Sequence, residues 1–246
     1  MNASSDTSLH NGRAGITWLG HSAFLIESPM GKRILIDPWL DNPKAPPKVK
    51  ERIGTIDAIL ITHGHSDHVG NTVEIAKRSG AMVVCIHELS LYLRKHGVEK
   101  VAGMNKSGSI SIDGMHAVLT HARHSAGIDI GGEMVAGGEA AGFILELENG
   151  FKIYHAGDTG YFGDMEFIGK FHKPNVAILP IGDLYTMGPK EAAWCASLIG
   201  PEYIIGCHYG TFPVLTGTPA ELREALPDPL KKGVVELQPG IPVWLQ

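Results

Sequence analysis

The chain has 246 residues, of which 43% are hydrophobic and 19% charged, and its formal net charge is −5. That length fits one large α/β domain or two small ones, the composition is that of a soluble, core-forming protein, and the acidic balance excludes a general attraction to nucleic acid. No apolar run approaches a membrane span. The three cysteines, Cys85, Cys195 and Cys207, are far apart and form neither a disulfide framework nor a Cys-x-x-Cys pair, which points to a reducing cytoplasm. Residues 1–13 are polar and lack an apolar signal core. They read as a disordered extension or expression remnant outside the fold.

Residues 16–19, 23–27 and 32–37 read as three strands of an opening meander, turned at Gly20-His21 and Met30-Gly31. His21 ends the first strand, either as a turn residue or facing a site, and Asp37 closes the third. The proline- and lysine-rich stretch 42–52 reads as a solvated loop in preference to a mobile lid. A buried strand covers 58–62, a helix 72–79, a buried strand 82–86 and a helix 88–96. A hairpin comes next at 109–113 and 116–120. Five glycines make 131–142 a loop near the site mouth. Residues 143–148 and 152–155 pair through Asn149-Gly150. The remaining elements are a helix at 165–171, an apolar strand at 176–181, a helix opened by Pro189 through 199, a strand at 203–207, a helix at 218–226 and a last edge strand at 234–237.

The chemistry concentrates where the strand at 58–62 stops. His63, His65, Asp67 and His68 fall within six positions, and imidazole and carboxylate are the ligands that divalent metals such as zinc prefer. One histidine in a polar loop is usually structural; three with an aspartate at this spacing are poorly explained that way. Gly64 allows a tight backbone between the first two ligands. The pattern then recurs, because apolar strands also end at His124, Asp158 and His208. In layered α/β proteins the C-terminal strand edge is where sites gather.

His63-x-His65-x-Asp67-His68 resembles the His-x-His-x-Asp-His signature of the metallo-β-lactamase superfamily. The resemblance implies an α/β fold, an αββα four-layer sandwich of two mixed β-sheets with helices outside, over 14–246 as a single domain. It also implies two divalent ions: His63, His65 and His124 hold the first, Asp67, His68 and His208 the second, and Asp158 bridges them. His121 competes with His124, which is preferred because it directly precedes the small-residue turn Ser125-Ala126-Gly127. Asp37 and Asp183 are candidate partners for ligand histidines, with strand-end turns as the alternative, and His21 is a candidate for either the ligand surroundings or the substrate. Zinc is the expected metal, with manganese or iron as alternatives. Gly20-His21-Ser22, Ile36-Asp37-Pro38, His155-Ala-Gly-Asp-Thr159, Leu179-Pro-Ile-Gly-Asp183, Thr186-Met-Gly-Pro189 and His208-Tyr209 resemble one branch, the metal-dependent hydrolases related to ascorbate-6-phosphate lactonase.

The activity this implies is a hydrolase in which a metal-bound hydroxide at a binuclear site cleaves a small ester, lactone or phosphate-containing metabolite. Asp67, or a group behind the metal ligands, passes a proton to the leaving group, and Asp158 holds both ions. The alternative is a non-catalytic metal-binding or iron redox protein on the same fold. A small-molecule substrate is expected, with no nucleic-acid or membrane partner; the assembly state stays open, a homo-oligomer included.

Overall fold

The structure, a computed structural model, describes residues 11–246, so all but the last three residues of the expected 1–13 extension lie outside the described residues. The first half contains β1 (Ala14–Trp18), β2 (Phe24–Glu27), β3 (Arg33–Ile36), α1 (Val49–Arg52), β4 (Ala58–Leu60), α2 (Ser66–Val69), α3 (Thr72–Ser79), β5 (Met82–Ile86), α4 (His87–Lys95) and β6 (Val101–Met104). Next come β7 (Ser109–Ile112), β8 (Met115–His121), β9 (Ile128–Ile130), β10 (Glu133–Val135), β11 (Ala141–Glu146) and β12 (Lys152–His155). The chain closes with α5 (Met165–His172), β13 (Val176–Pro180), α6 (Pro189–Ile199), β14 (Tyr203–Cys207), α7 (Pro219–Ala225), α8 (Asp228–Lys231) and β15 (Val243–Leu245).

Two mixed sheets result, with helices outside. One has the order β15-β1-β2-β3-β4-β5-β6, the other β14-β13-β12-β11-β8-β7, and β9 with β10 forms a separate ribbon. In each sheet an antiparallel meander passes into parallel strands, at β3–β4 in the first and β12–β13 in the second. Side chains alternate across a strand, and here both faces are buried. Phe143 and Leu145 of β11, Ile153 of β12, Val176 and Ile178 of β13, and Ile205 of β14 enter the core between the sheets. Ile144, Tyr154, Ala177, Leu179 and Ile204 face the opposite way, onto Met165 and Ile168 of α5, Ala192 and Ala196 of α6, and Leu222 of α7. This two-sided burial explains why the parallel strands read as continuous apolar runs. Ile75 of α3 and Leu89 and Leu93 of α4 pack into the same apolar cluster as the strands of the first sheet.

Three expectations need correction. Residues 234–237 do not form an edge strand: they make a single bridge, Ile204 to Val234, and the closing edge strand is β15, paired with β1 from Ala14↔Leu245 to Ile16↔Val243. Within the expected loop at 131–142, Glu133–Val135 pairs with Ile128–Ile130. Gly131 and Gly132, at φ 65° and 91°, supply the two positive-φ positions that a two-residue hairpin turn requires. The helical turn α1 lies inside the proline-rich stretch. No helix among the described residues is long and apolar enough to cross a membrane.

Phe143 has no exposed surface and is among the largest fully buried side chains. Phe143→Ala should lower unfolding free energy by about 3–5 kcal/mol, because it removes buried area and leaves a cavity between two sheets that cannot easily collapse; denaturant titration measures this, and a loss below about 1 kcal/mol would contradict the packing described.

Candidate metal centre

Five strand ends supply the site. After β4, the chain runs through Thr62 to His63, then turns into the single helical turn α2, which carries Asp67 and His68. From the second sheet, His124 comes after β8, Asp158 after β12 and His208 after β14. His21 comes after β1. Two glycines let these segments meet. Gly64 does not need positive φ; its reason is close approach, since a Cβ there would sit 2.7 Å from Ile128 Cγ1 and 3.0 Å from the Ala126 carbonyl oxygen. Gly157 adopts φ 65°, and a Cβ there would collide with the Ala141 carbonyl oxygen.

Behind the ligands lies a buried polar chain. The Asp37 carboxylate, with no exposed surface, accepts the Thr62 backbone N–H at 2.8 Å and the Thr62 hydroxyl at 2.7 Å. It also accepts His68 Nδ1–H at 2.8 Å. With its proton given to Asp37, the Thr62 hydroxyl accepts His63 Nδ1–H at 3.0 Å. One carboxylate thus sets two tautomers, directly for His68 and through Thr62 for His63, and leaves Nε2 of each with a free lone pair.

The Nε2 atoms point into two clusters. His63, His65 and His124 offer ligand atoms within 4.8 Å of one another, and so do His21, Asp67, His68 and His208. His63 Nε2 faces His65 Nδ1 at 2.9 Å. Asp158 joins the clusters through one oxygen: Oδ2 lies 3.2 Å from His68 Nε2, 3.0 Å from His208 Nε2 and 3.7 Å from His124 Nε2. His68 Nε2 and Asp158 Oδ1 are nevertheless buried without an aligned hydrogen-bond partner. Buried polar atoms left unpaired are costly, and ligand-type atoms that converge with some of them left unpaired are the surroundings a cation completes. The residues present therefore fit a metal.

The electrostatics agree. Burial holds His63 well below the ordinary imidazole value, and it also lowers His65 and His124, so all three stay neutral with a lone pair available. His68 is raised well above it: burial opposes protonation, but Asp158 and Asp37 outweigh it. An ion would take the place of that proton. Among the described residues, Asp67 and Asp158 form ion pairs with histidines alone.

The structure brings His63, His65, Asp67, His68, His124, Asp158 and His208 together. Asp37 lies behind them as described. His21 is fully buried at the second cluster, 3.1 Å from Asp67 Oδ2. His121 points elsewhere: it is exposed, contacts Lys106 Nζ at 2.9 Å and packs against Phe162. Asp183 is exposed, and its carboxylate accepts the N–H of the adjacent Leu184, which is a turn role. Thr62 and Thr211, whose hydroxyls meet His63 and His21, carry no mark in the sequence pattern; only adjacency to a ligand could have pointed to Thr62.

Asp37→Asn should weaken metal binding by about 10–100-fold, because an amide cannot accept three donors as a carboxylate does, and both histidines lose their set tautomer. Competition with a chelator measures this; unchanged affinity would show that Asp37 serves packing alone.

A family model described as β-lactamase superfamily domain matches residues 32–209. A relative from Koribacter versatilis, named UPF0173 metal-dependent hydrolase, is 49% identical over 209 residues, covering 85% of this chain and 90% of its own. One of the same name from Methanosarcina mazei is 44% identical over 231 residues, covering 94% and 98%. Among solved structures, Igni18, a metallo hydrolase from the hyperthermophilic archaeon Ignicoccus hospitalis, is 34% identical with a TM-score of 0.86 over 95% of this chain and 99% of its own. With ligand-type side chains converging where the two sheets meet, and relatives this similar over nearly their whole length, the chain belongs to the β-lactamase superfamily, in the group whose members carry the name UPF0173 metal-dependent hydrolase.

Proposed function

We propose that this chain is a binuclear metal-dependent hydrolase acting on a small ester, lactone or phosphate-containing metabolite. The observation that carries the reading is Asp158 Oδ2, which lies within 3.0–3.7 Å of imidazoles from both clusters while Oδ1 stays buried and unpartnered. His63, His65 and His124 would hold one ion, Asp67, His68 and His208 the other, and Asp158 both. Zinc suits these nitrogen and oxygen donors, and manganese or iron are the alternatives.

Two bound divalent ions supply a water acidic enough to ionise near neutral pH and a positive field for the oxygen that gains charge. The chain's own residues do the rest. Asp37 and Thr62 hold the imidazole tautomers. Asp158, 3% exposed, keeps its carboxylate fixed away from solvent. Asp67, 30% exposed, is the carboxylate at the open side; it takes the proton lost by the attacking water and returns it to the leaving oxygen. No serine or cysteine nucleophile is needed, and Cys207, buried beside the site, is kept a thiol because burial pushes it well above its ordinary value. The sequence resemblance to the branch related to ascorbate-6-phosphate lactonase puts lactones first in the substrate search.

Metal-free protein reconstituted with zinc or manganese should take up two ions per chain by elemental analysis and turn over at least one member of a lactone, aryl ester and phosphodiester panel. Asp158→Ala should lose metal and activity together, by about 10²-fold or more, because it removes an anionic donor from both ions. A folded Asp158→Ala protein with full metal content and an ordinary rate would sink the shared-ligand reading; a metal-loaded wild type inert across the panel would sink the substrate classes.

A further inference from the structure

The seven-residue assignment leaves one histidine over. His21 has no exposed surface, and its ring centroid lies 3.9 Å from that of His208 and 5.8 Å from that of His68. Nε2 sits 3.1 Å from Asp67 Oδ2. Adjacent donors around one ion at about 2.0–2.2 Å lie roughly 2.8–3.6 Å apart, and opposite ones up to about 4.4 Å. The His21 to Asp67 spacing, which is also that of a hydrogen bond, falls in the first range, as do His68 to Asp158 at 3.2 Å and His208 to Asp158 at 3.0 Å, while Asp67 lies 4.0 Å from both His68 and His208. A ligand atom of His21 also lies within 4.8 Å of those of Asp67, His68 and His208.

The surroundings hold the ring in this place. His21 adopts φ 52°, a conformation uncommon for residues other than glycine, although asparagine, aspartate and histidine reach it more often than most. Its carbonyl oxygen accepts both Trp18 Nε1–H at 2.8 Å and the His208 backbone N–H at 3.1 Å, which ties it to a residue of the second cluster. Thr211 Oγ1 lies 3.0 Å from Nδ1. When that hydroxyl accepts Nδ1–H, Nε2 is left with a lone pair directed at the cluster, the same arrangement Thr62 gives His63. The two clusters also differ in exposure by degree: in the second only Asp67 is partly exposed while His21, His68 and His208 are buried, and in the first His63 is buried while His65 and His124 are both partly exposed.

We propose that His21 Nε2 is a further protein donor to the ion held by Asp67, His68 and His208. That ion would then be the more fully enclosed, with five protein donors in His21, Asp67, His68, His208 and Asp158 and only Asp67 reaching the open side, against four in His63, His65, His124 and Asp158 for the other. Enclosed sites bind metal to hold it, and sites with an open position do chemistry. The two ions therefore bind with unequal affinity, the enclosed one more tightly. The inference rests on the binuclear reading above.

The test uses the full chain and Zn²⁺ titrated against a competing chelator, with X-ray absorption of the zinc-loaded protein to count imidazoles. Wild type should show two binding steps. His21→Asn, chosen because asparagine tolerates left-handed backbone, should weaken one step at least tenfold. The other step should stay within about threefold, and one imidazole should be lost per pair of zinc ions. Thr211→Val, which leaves every donor in place, should weaken the same step to a smaller extent. Two wild-type steps with both steps and the imidazole count unchanged in His21→Asn would overturn the assignment while leaving the binuclear reading intact. Both steps weakened alike would make His21 a structural residue and also overturn it. A wild type that binds fewer than two ions would remove the binuclear reading and this inference with it.

Discussion

The centre of the molecule depends on one carboxylate that never meets solvent. Taking Asp37 out of water is costly unless donors replace that water. Three do: the Thr62 amide, the Thr62 hydroxyl and His68 Nδ1. The first comes from the segment that leaves β4 and the last from the helical turn beyond it, so the carboxylate fastens the whole 62–68 loop to the end of β3. The loop's shape and the direction of its imidazoles are thus consequences of satisfying one buried acceptor. Asp37 itself sits at φ 46°, a local backbone cost of about 1–3 kcal/mol that the three hydrogen bonds offset.

Most of this architecture is legible in the sequence because local pattern and final burial agree. The helix at 72–79, the strand at 82–86, the helix at 189–199 and the strand at 203–207 lie where periodicity and punctuation put them. The failures have a common origin. The pairing of β15 with β1 joins the two ends of the described chain, and a three-residue strand defined by a partner more than two hundred residues away leaves no local trace. The stretch 234–237 resembles a strand because three of its four residues are apolar and two of them β-branched, yet it reaches only one residue of β14. In 131–142 the glycines suggest looseness, whereas the adjacent pair Gly131-Gly132 is a hairpin turn.

At the site, ligand-type residues are legible as types at strand ends, while their partners are not. His124 can be preferred over His121 by its place before the small-residue turn, and the structure sends the two imidazoles in different directions from one strand end. Asp37 and Asp183 look alike in sequence, each an aspartate closing an apolar strand. Their neighbours in space separate them: β4 lies against the end of β3, so Asp37 is covered, whereas the loop after β13 leaves Asp183 in solvent. Burial is a tertiary property, and a single sequence does not report it.

The ligand groups come from both sheets: the 63–68 loop and His21 from the first, His124, Asp158 and His208 from the second. An ion bound among them is a cross-link between halves of the molecule otherwise joined by apolar contact and a few hydrogen bonds, such as His208 N–H to the His21 carbonyl and Ala141 N–H to the Thr62 carbonyl. Mass action then ties the cohesion of the sandwich to metal supply. Once an ion is bound well above its dissociation constant, each tenfold rise in its free concentration adds about 1.4 kcal/mol to the folded state. The same chain should accordingly be a sturdier molecule in a metal-replete cell than in a starved one, and its turnover by proteases should follow the metal economy of its host.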